Sequence, residues 1–175
     1  MKTFFLTIIM VAASFSANAQ QIISGSFSAL RDVKAINVEV DWSVVSIAGM
    51  TVPDWINLRQ AEQMEYDAQK EYETELKPAA NEFVKTANER LMKQNCYLTK
   101  DASKEFTLVI RPRNIDRKGY QTLDCAIVKT AGSEPVVAFT IEGNGGRFGS
   151  MANLWGDGFK SSGKKFAKLF LSKRK

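Results

Sequence analysis

The order of the hydrophobic patterns along the chain is the feature that most restricts its fold. Four segments alternate apolar and polar residues with the period of a half-buried β-strand, namely residues 33–42, 105–111, 122–128 and 136–142. A long segment with apolar residues at helical spacing separates the first from the second, and another helical segment follows the fourth. This order predicts an α+β two-layer domain, with helices packed on one face of an antiparallel or mixed sheet of about four or five strands.

Three of the strand segments follow one another closely, which favours an antiparallel meander. Their connections contain Gly119 and the segment 130–133, both suited to hairpin turns. A further short or edge strand is predicted within residues 22–27, where apolar residues lie among serines and a glycine.

The segment between the first two main strands predicts a long helix. Pro53 suits the first turn of a helix, and Thr51 is a candidate N-cap. From residue 59 to residue 95 there is almost no turn-forming sequence, and Pro78 is expected to kink the helix or to start a new one. One apolar stripe runs through this segment, made of Tyr72, Leu76, Ala79, Ala80, Phe83, Ala87 and Leu91.

A C-terminal helix is predicted over residues 149–172. Its apolar residues occupy one stripe, with lysines opposite, and the stripe consists of Met151, Leu154, Trp155, Phe159, Phe166, Leu169 and Phe170. We expect this stripe to pack in the core, although a helix lying on a membrane surface shares the same pattern. Gly149, Gly156 and Gly163 recur every seven residues along one flank and indicate close approach to a neighbouring backbone.

Residues 1–19 have the features of a cleaved secretory signal peptide. Lys2 supplies a positive start, an apolar run follows, and the segment ends in the small-residue pattern Ala17-Asn18-Ala19. The apolar run is shorter than the roughly 20 residues that a membrane-spanning helix needs, and no other run approaches that length. We therefore predict cleavage after Ala19 and a periplasmic or secreted single domain, residues 20–175, with no transmembrane segment.

Composition excludes several kinds of catalytic and metal site. The chain has no histidine and two cysteines, which rules out Ser-His-Asp and Cys-His catalysis, histidine-ligated zinc and four-thiolate clusters. Carboxylates such as Glu39, Asp41 and Asp124 alternate with apolar residues, which is typical of solvated strand faces. The sequence therefore predicts no catalytic, cofactor-binding or metal-binding residue, and a protein that is not an enzyme.

Cys96 and Cys125 allow two interpretations. Export would place them where disulfides persist, so a structural bridge could tie the end of the long helix to the middle strand of the meander. The alternative is two separate buried thiols, since Cys125 lies on an apolar strand face.

Basic residues give the chain a net charge of +5 and indicate where an anionic partner would bind. The candidate contacts are a hairpin cluster, a residue in the glycine-rich segment 143–149, and the C-terminal tail, namely Arg111, Arg113, Arg117, Lys118, Arg147, Lys173, Arg174 and Lys175. The glycine-rich segment itself fits either a flexible strand-to-helix connection or an anion site, and it lacks the complete G-x-G-x-x-G pattern. Because export is predicted, an anionic glycan, a lipid surface or an acidic protein is expected rather than nucleic acid.

Parts of the sequence resemble a known group of proteins. Residues 22–30, the strand ending Val38-Glu39-Val40-Asp41-Trp42 and the glycine-rich final helix are similar to small secreted proteins of Bacteroidetes-type bacteria. The domain of that group is similar to periplasmic lipoprotein modules with a TolB-N-terminal-like α/β fold. The resemblance implies a fold and a compartment but no reaction, and the present chain lacks the lipobox cysteine of the lipoprotein members.

Two functions follow from these observations. The first is an exported, non-catalytic cell-envelope protein acting as a structural or interaction module, with another envelope protein as its partner. The alternative is a peripheral binder of anionic membrane or glycan surfaces, acting through the basic hairpin and the C-terminal tail.

Overall fold

The computed structural model describes residues 20–132 and 134–175, so the predicted signal peptide, residues 1–19, lies outside the described residues. Within the described residues a mixed sheet has seven strands in the order β1-β7-β6-β5-β2-β4, with β3 beside β5. The strands are β1 (Gln20–Gly25), β2 (Ala35–Val40), β3 (Ser46–Ile47), β4 (Tyr97–Thr99), β5 (Phe106–Ile115), β6 (Gln121–Lys129) and β7 (Pro135–Gly143).

The sheet confirms the predicted fold class and has more strands than predicted. Strands β5, β6 and β7 form the antiparallel meander, and β1 is an edge strand antiparallel to β7. Strand β2 runs parallel to both β5 and β4, and β3 runs parallel to β5. The sequence missed β3 and β4, because two or three residues are too few to show a period of two.

The helical part of the chain is more divided than predicted. The helices are α1 (Val52–Glu62), α2 (Ala68–Glu71), α3 (Asn81–Leu91) and α4 (Met151–Lys173), and α2 is joined to α3 by a π-helical turn, Tyr72–Leu76, and a 3-10 turn, Lys77–Ala80. Pro78 lies in that 3-10 turn, so it starts a new helical segment as expected. Thr51 caps α1, accepting a hydrogen bond from the Asp54 backbone N–H.

The prediction places no break between residue 59 and Pro78, and this is wrong, because the chain leaves the helix between α1 and α2. Polar side chains stabilise this break. Gln60 Nε2 donates to the carbonyl of Met64 at 3.2 Å, and Gln60 Oε1 accepts from the Ala68 N–H at 3.1 Å. Asp67 then caps α2 by accepting from the Lys70 N–H at 2.8 Å. These contacts pair backbone N–H and C=O groups at the two helix ends. They do so without glycine or proline, the residues that usually mark a break in a helix.

Helix α4 packs in the core, as its apolar stripe predicts. Trp155, Phe159, Phe166 and Phe170 are fully buried, and Phe166 lies against Phe83 of α3, Phe139 of β7 and Phe170. Of the three glycines predicted to approach a neighbouring backbone, Gly163 does so, since a Cβ there would lie 2.4 Å from the Phe83 carbonyl oxygen. At Gly156 the corresponding nearest contact is an ordinary 3.7 Å, so the predicted close approach is confined to part of the helix.

The two faces of the sheet differ. Alternate residues of β6 and β7 are buried on the side that faces α4, and the intervening residues are partly exposed on the opposite side. In residues 20–132 and 134–175, no helix combines the length and the apolar character needed to cross a bilayer.

The cysteines are two free, buried thiols, and the bridge between them is not formed. Cys125 lies in β6, and Cys96 immediately precedes β4, which is three strands away in the sheet order. At about 4.8 Å per strand this separation is roughly 14 Å, beyond the roughly 7 Å limit for the Cα atoms of a disulfide.

Candidate functional site

An open groove of about 580 Å³ lies where the C-terminal ends of α3 and α4 meet the end of a short 3-10 helix, Phe27–Leu30. Gln94, Leu171 and Ser172 form part of its lining. The rest of the lining is basic, and we call this surface the basic groove after its five cations, Arg31, Arg90, Lys168, Arg174 and Lys175. Among the residues that the structure describes, no Asp or Glu lines it.

Helix ends account for the position of these cations. Arg31 is the C-cap of the 3-10 helix, and Arg90 lies in the last turn of α3. Lys168 and Ser172 are one turn apart near the end of α4, so their side chains share a face. Cations are favourable near helix C-termini because the carbonyl ends carry partial negative charge. The fold brings three such ends together, which concentrates positive charge at one corner.

Arg174 has a structural role in the basic groove. Its guanidinium donates to the carbonyl oxygens of Val33 at 3.3 Å and Gln94 at 3.2 Å, and it lies 5.0 Å from the centre of the Phe170 ring. These contacts fix the end of α4 to the segment before β2 and to the end of α3. Because Arg174 is engaged in this way, the cations available to a ligand are Arg31, Arg90, Lys168 and Lys175.

Those four available cations form no ion pair within 4.0 Å in the described residues. Among the described residues, the ion pairs within 4.0 Å involve other side chains, so no carboxylate oxygen reaches the charged nitrogens of this set. All four side chains are exposed. The basic groove therefore presents uncompensated positive charge to solvent.

Cys96, beside the groove, is not an activated nucleophile. Burial raises the pKa of its thiol, and the charge and hydrogen bond of Arg174 offset only part of that effect. Burial also raises the pKa of Cys125, and the nearby Asp124 raises it further. Both thiols are therefore protonated at neutral pH, which makes them poor nucleophiles.

The three arginines of the predicted hairpin cluster are paired with carboxylates, whereas its fourth cation, Lys118, has none within 4.0 Å in the described residues. Arg111 Nε donates to Asp41 Oδ2 at 2.8 Å, and Arg113 Nε donates to Asp124 Oδ2 at 2.9 Å. Arg117 Nη2 lies 3.6 Å from Glu62 Oε1. A bulge in β5 between residues 112 and 114 lets Arg113 reach Asp124, the residue directly opposite Arg111 on β6.

The charge on Asp41 reflects this pairing. Burial alone would raise the pKa of the Asp41 carboxyl, but hydrogen bonds from Ser43 and Arg111, with the charge of Arg111, lower it below its ordinary value. Asp41 therefore stays ionised and holds Arg111 on the exposed face of the sheet.

Lys118, Tyr120 and Arg147 lie at the other end of α4 from the basic groove. The Gly146 N–H donates to the Lys118 carbonyl at 2.9 Å, so the glycine-rich segment packs directly on the turn between β5 and β6. A Cβ at Gly145 would lie 2.0 Å from the same carbonyl oxygen, which explains the need for glycine there. The glycines of this segment thus have a packing role.

Comparison with known proteins gives no family assignment. No protein-family model matches the chain, and no curated protein sequence is significantly similar to it. Among solved structures, the PelC dodecamer from Paraburkholderia phytofirmans is similar at a TM-score of 0.43 and 11% sequence identity, over 83% of this chain and 93% of the PelC chain. A similarity this distant transfers no function to the present chain.

Sequence reasoning found only part of the basic groove. It identified Arg174 and Lys175 in the C-terminal tail, together with Lys173, which does not line the groove. It missed Arg31, Arg90 and Lys168, because each looks like an ordinary exposed cation in its own segment. Their one shared signal is a place near a helix end, and only the fold shows that these ends meet.

Proposed function

We propose that this protein is an exported, non-catalytic envelope protein that binds an acidic polysaccharide in the basic groove. The observation that carries the proposal is the set of four exposed cations, Arg31, Arg90, Lys168 and Lys175, facing an open groove with no carboxylate within 4.0 Å among the described residues. Export rests on the predicted signal peptide of residues 1–19.

The weakness of exposed ion pairs favours a polymer over a small anion. Each exposed pair contributes about 0.2–1 kcal/mol, so four contacts supply at most roughly 4 kcal/mol. A micromolar Kd requires about 8 kcal/mol. A polymer with repeated charges supplies the missing binding free energy. Several of its anionic groups bind at the same time, and a group that dissociates is replaced by the next one along the polymer.

The shape of the site and its predicted location favour a polysaccharide. An open groove between helix ends accommodates an extended chain, whereas a planar lipid surface would touch only its rims. Nucleic acid is disfavoured because the predicted signal peptide directs the chain out of the cytosol.

The chemistry of the groove supports binding without catalysis. Its charged groups are guanidinium and ammonium groups, which donate hydrogen bonds and do not act as general bases at neutral pH. The neighbouring Cys96 thiol is buried and has a raised pKa, so it supplies no thiolate.

Binding is tested with a fluorescent oligogalacturonate, a chain of repeated carboxylates, by anisotropy at an ionic strength of about 0.15 M, where the Debye length is about 8 Å. We compare R90Q/K168Q with the matched control K70Q/K164Q, which removes two exposed lysines that do not line the groove. The groove variant should weaken binding about fivefold to thirtyfold, corresponding to about 0.5–1 kcal/mol per lost contact. The control should change affinity less than about twofold, since screened charges outside the site contribute little.

Equal losses in the two variants would mean that binding follows net charge rather than the groove. Lack of binding by the unmodified protein to both oligogalacturonate and dextran sulfate would overturn the proposed ligand class. Export is tested separately by N-terminal sequencing of the protein from its host, which should begin at or near Gln20.

A further inference from the structure

We propose that the end of the molecule opposite the basic groove contacts an anionic lipid surface. The contact surface, here called the loop tip, consists of the β5–β6 turn and the glycine-rich segment before α4. Its principal residues are Lys118 and Tyr120 in the turn and Arg147 and Phe148 in the segment. The proposal does not depend on the function proposed for the groove.

The exposure of Phe148 is the observation that most clearly indicates a missing binding partner. Its side chain is 89% exposed, the largest value among the exposed large apolar residues of the described chain. Tyr120 is 47% exposed on the adjoining turn. An aromatic side chain gains stability from leaving water, and aromatic residues are common where a protein meets a membrane interface.

The backbone holds the two aromatic residues at the same end of the molecule. The Gly146 N–H donates to the Lys118 carbonyl at 2.9 Å, two residues from each aromatic side chain. Gly119 has a positive φ of 83°, and a Cβ there would lie 2.0 Å from the Leu154 carbonyl oxygen in the first turn of α4. This packing joins the turn to both the glycine-rich segment and α4, so Phe148 projects from a fixed base.

The charge around the aromatic residues favours an anionic surface. Lys118 and Arg147 have no carboxylate within 4.0 Å in the described chain, and Arg117 is 3.6 Å from Glu62. Two acidic residues nearby, Asp116 and Asp157, form no ion pair with Lys118 or Arg147 within 4.0 Å in the described chain. Asp116 accepts from the N–H groups of Lys118 and Tyr120, and Asp157 pairs with Lys160 at 3.2 Å. Cations beside exposed aromatic residues match anionic headgroups around an apolar interior.

Lipid fits the loop tip better than a protein surface does. Phe148 is 89% exposed, so few side chains cover its ring and it protrudes instead of belonging to a flush apolar patch. A protein partner would need a pocket shaped for it, whereas the interfacial region of a bilayer accepts isolated protruding rings. Further exposed apolar residues, Leu58 and Met64, lie on the α1 side, which the Arg117–Glu62 pair joins to this end.

The position of α4 relates the loop tip to the basic groove. The helix has 23 residues, a length of roughly 35 Å, with the loop tip at its N-terminus and the groove at its C-terminus. Lipid contact at the loop tip therefore leaves the groove directed away from the membrane, where it can bind a polymer.

The test is sedimentation of the full-length mature chain with vesicles of phosphatidylglycerol mixed with phosphatidylcholine, and with vesicles of phosphatidylcholine alone. We expect binding to the anionic vesicles only, and F148A should reduce the bound-to-free ratio roughly tenfold because the phenyl contact is lost. The matched control is M92A, which shortens a 63% exposed apolar side chain away from the loop tip. It should bind as the unmodified protein does.

The variant F148W distinguishes insertion of position 148 into the bilayer interface from attraction by charge alone. The three native tryptophans do not lie in the loop tip, so a blue shift that appears only in this variant on vesicle addition reports entry of position 148 into the interface. Equal vesicle binding by F148A and the unmodified protein, or absence of the F148W shift, overturns the proposal. Loss of a protein dimer in F148A without any vesicle binding would assign the loop tip to self-association and also overturn it.

R90Q/K168Q should retain vesicle binding and F148A should retain oligogalacturonate binding, so failure of one proposal is distinguishable from failure of the other.

Discussion

The basic hairpin and the basic groove carry similar numbers of cations and differ in what faces those cations. On the hairpin, Arg111, Arg113 and Arg117 each meet a carboxylate within 4.0 Å. In the groove, the available cations meet none in the described residues. A cluster of basic residues in a sequence therefore indicates binding only where the fold leaves it unpaired.

The difference has its origin in secondary structure. Neighbouring strands place side chains of the same face opposite one another, so Asp124 of β6 stands beside the arginines of β5 and pairs with one of them. Helix ends favour cations on every helix, because each C-terminus carries partial negative charge. Where several helix ends meet, as at the basic groove, cations from different helices come together.

The largest expected effect tests whether α4, the helix that carries Lys168 of the basic groove, is held in place by core packing. Phe166→Ala should lower the free energy of unfolding by about 3–5 kcal/mol, because the ring is fully buried among Phe83, Phe139 and Phe170. The measurement is urea denaturation followed by circular dichroism. Lys164→Ala, at an exposed position half a turn away on α4, should change stability by less than about 0.5 kcal/mol. Similar stabilities for the two variants would show that α4 does not pack in the core.

The next effect compares the two basic regions directly. R90Q/K168Q should weaken oligogalacturonate binding about tenfold while leaving the urea midpoint unchanged. R111Q/R113Q should do the opposite, lowering the free energy of unfolding by up to about 1 kcal/mol per pair and changing affinity less than about twofold. If the hairpin variant loses affinity and the groove variant does not, the assignment of the two regions is reversed.

Lowering the pH should change the contribution of the two regions to stability differently, because the hairpin arginines pair with carboxylates whose charge is lost on protonation. The pKa of Asp41 is lowered in the folded state, so its contribution to stability is present above the unfolded value of about 3.8 and is lost as pH falls through the folded value. D41N removes this contribution and should flatten the loss of stability below about pH 4. R90Q/K168Q should keep the slope of the unmodified protein, since those two cations have no carboxylate within 4.0 Å in the described part of the chain. Urea midpoints at pH 6 and pH 3 provide the measurement.

The smallest effect concerns single lysines at the two ends of α4. Lys175→Gln should weaken oligogalacturonate binding about twofold and leave vesicle binding unchanged. Lys118→Gln should weaken binding to anionic vesicles by a similar factor and leave oligogalacturonate binding unchanged. Both assays are run on both variants, and equal effects in either assay would show that the two ends are not separate binding surfaces.

The sequence predicted those parts of the fold that depend on local periodicity. The period of two identified β2, β5, β6 and β7, and the helical stripe identified α4 and its buried aromatic residues. The sequence shows these patterns because, in a long strand or helix, residues at a regular spacing all face the core. The break between α1 and α2 was not readable, since it depends on hydrogen bonds of the Gln60 side chain to residues on both sides of it.

The sequence by itself determined the fold class, the order of the main elements and the core face of α4. Only the tertiary structure decided which cations are available, because Arg31, Arg90 and the C-terminal pair Lys168 and Lys175 come from three segments distant in the chain and meet through packing of α3 and α4. The same holds for Cys96 and Cys125, which the strand order keeps apart. The physical reason is that periodicity is a property of neighbours along the chain, whereas pairing of charges and thiols depends on distances across the folded molecule.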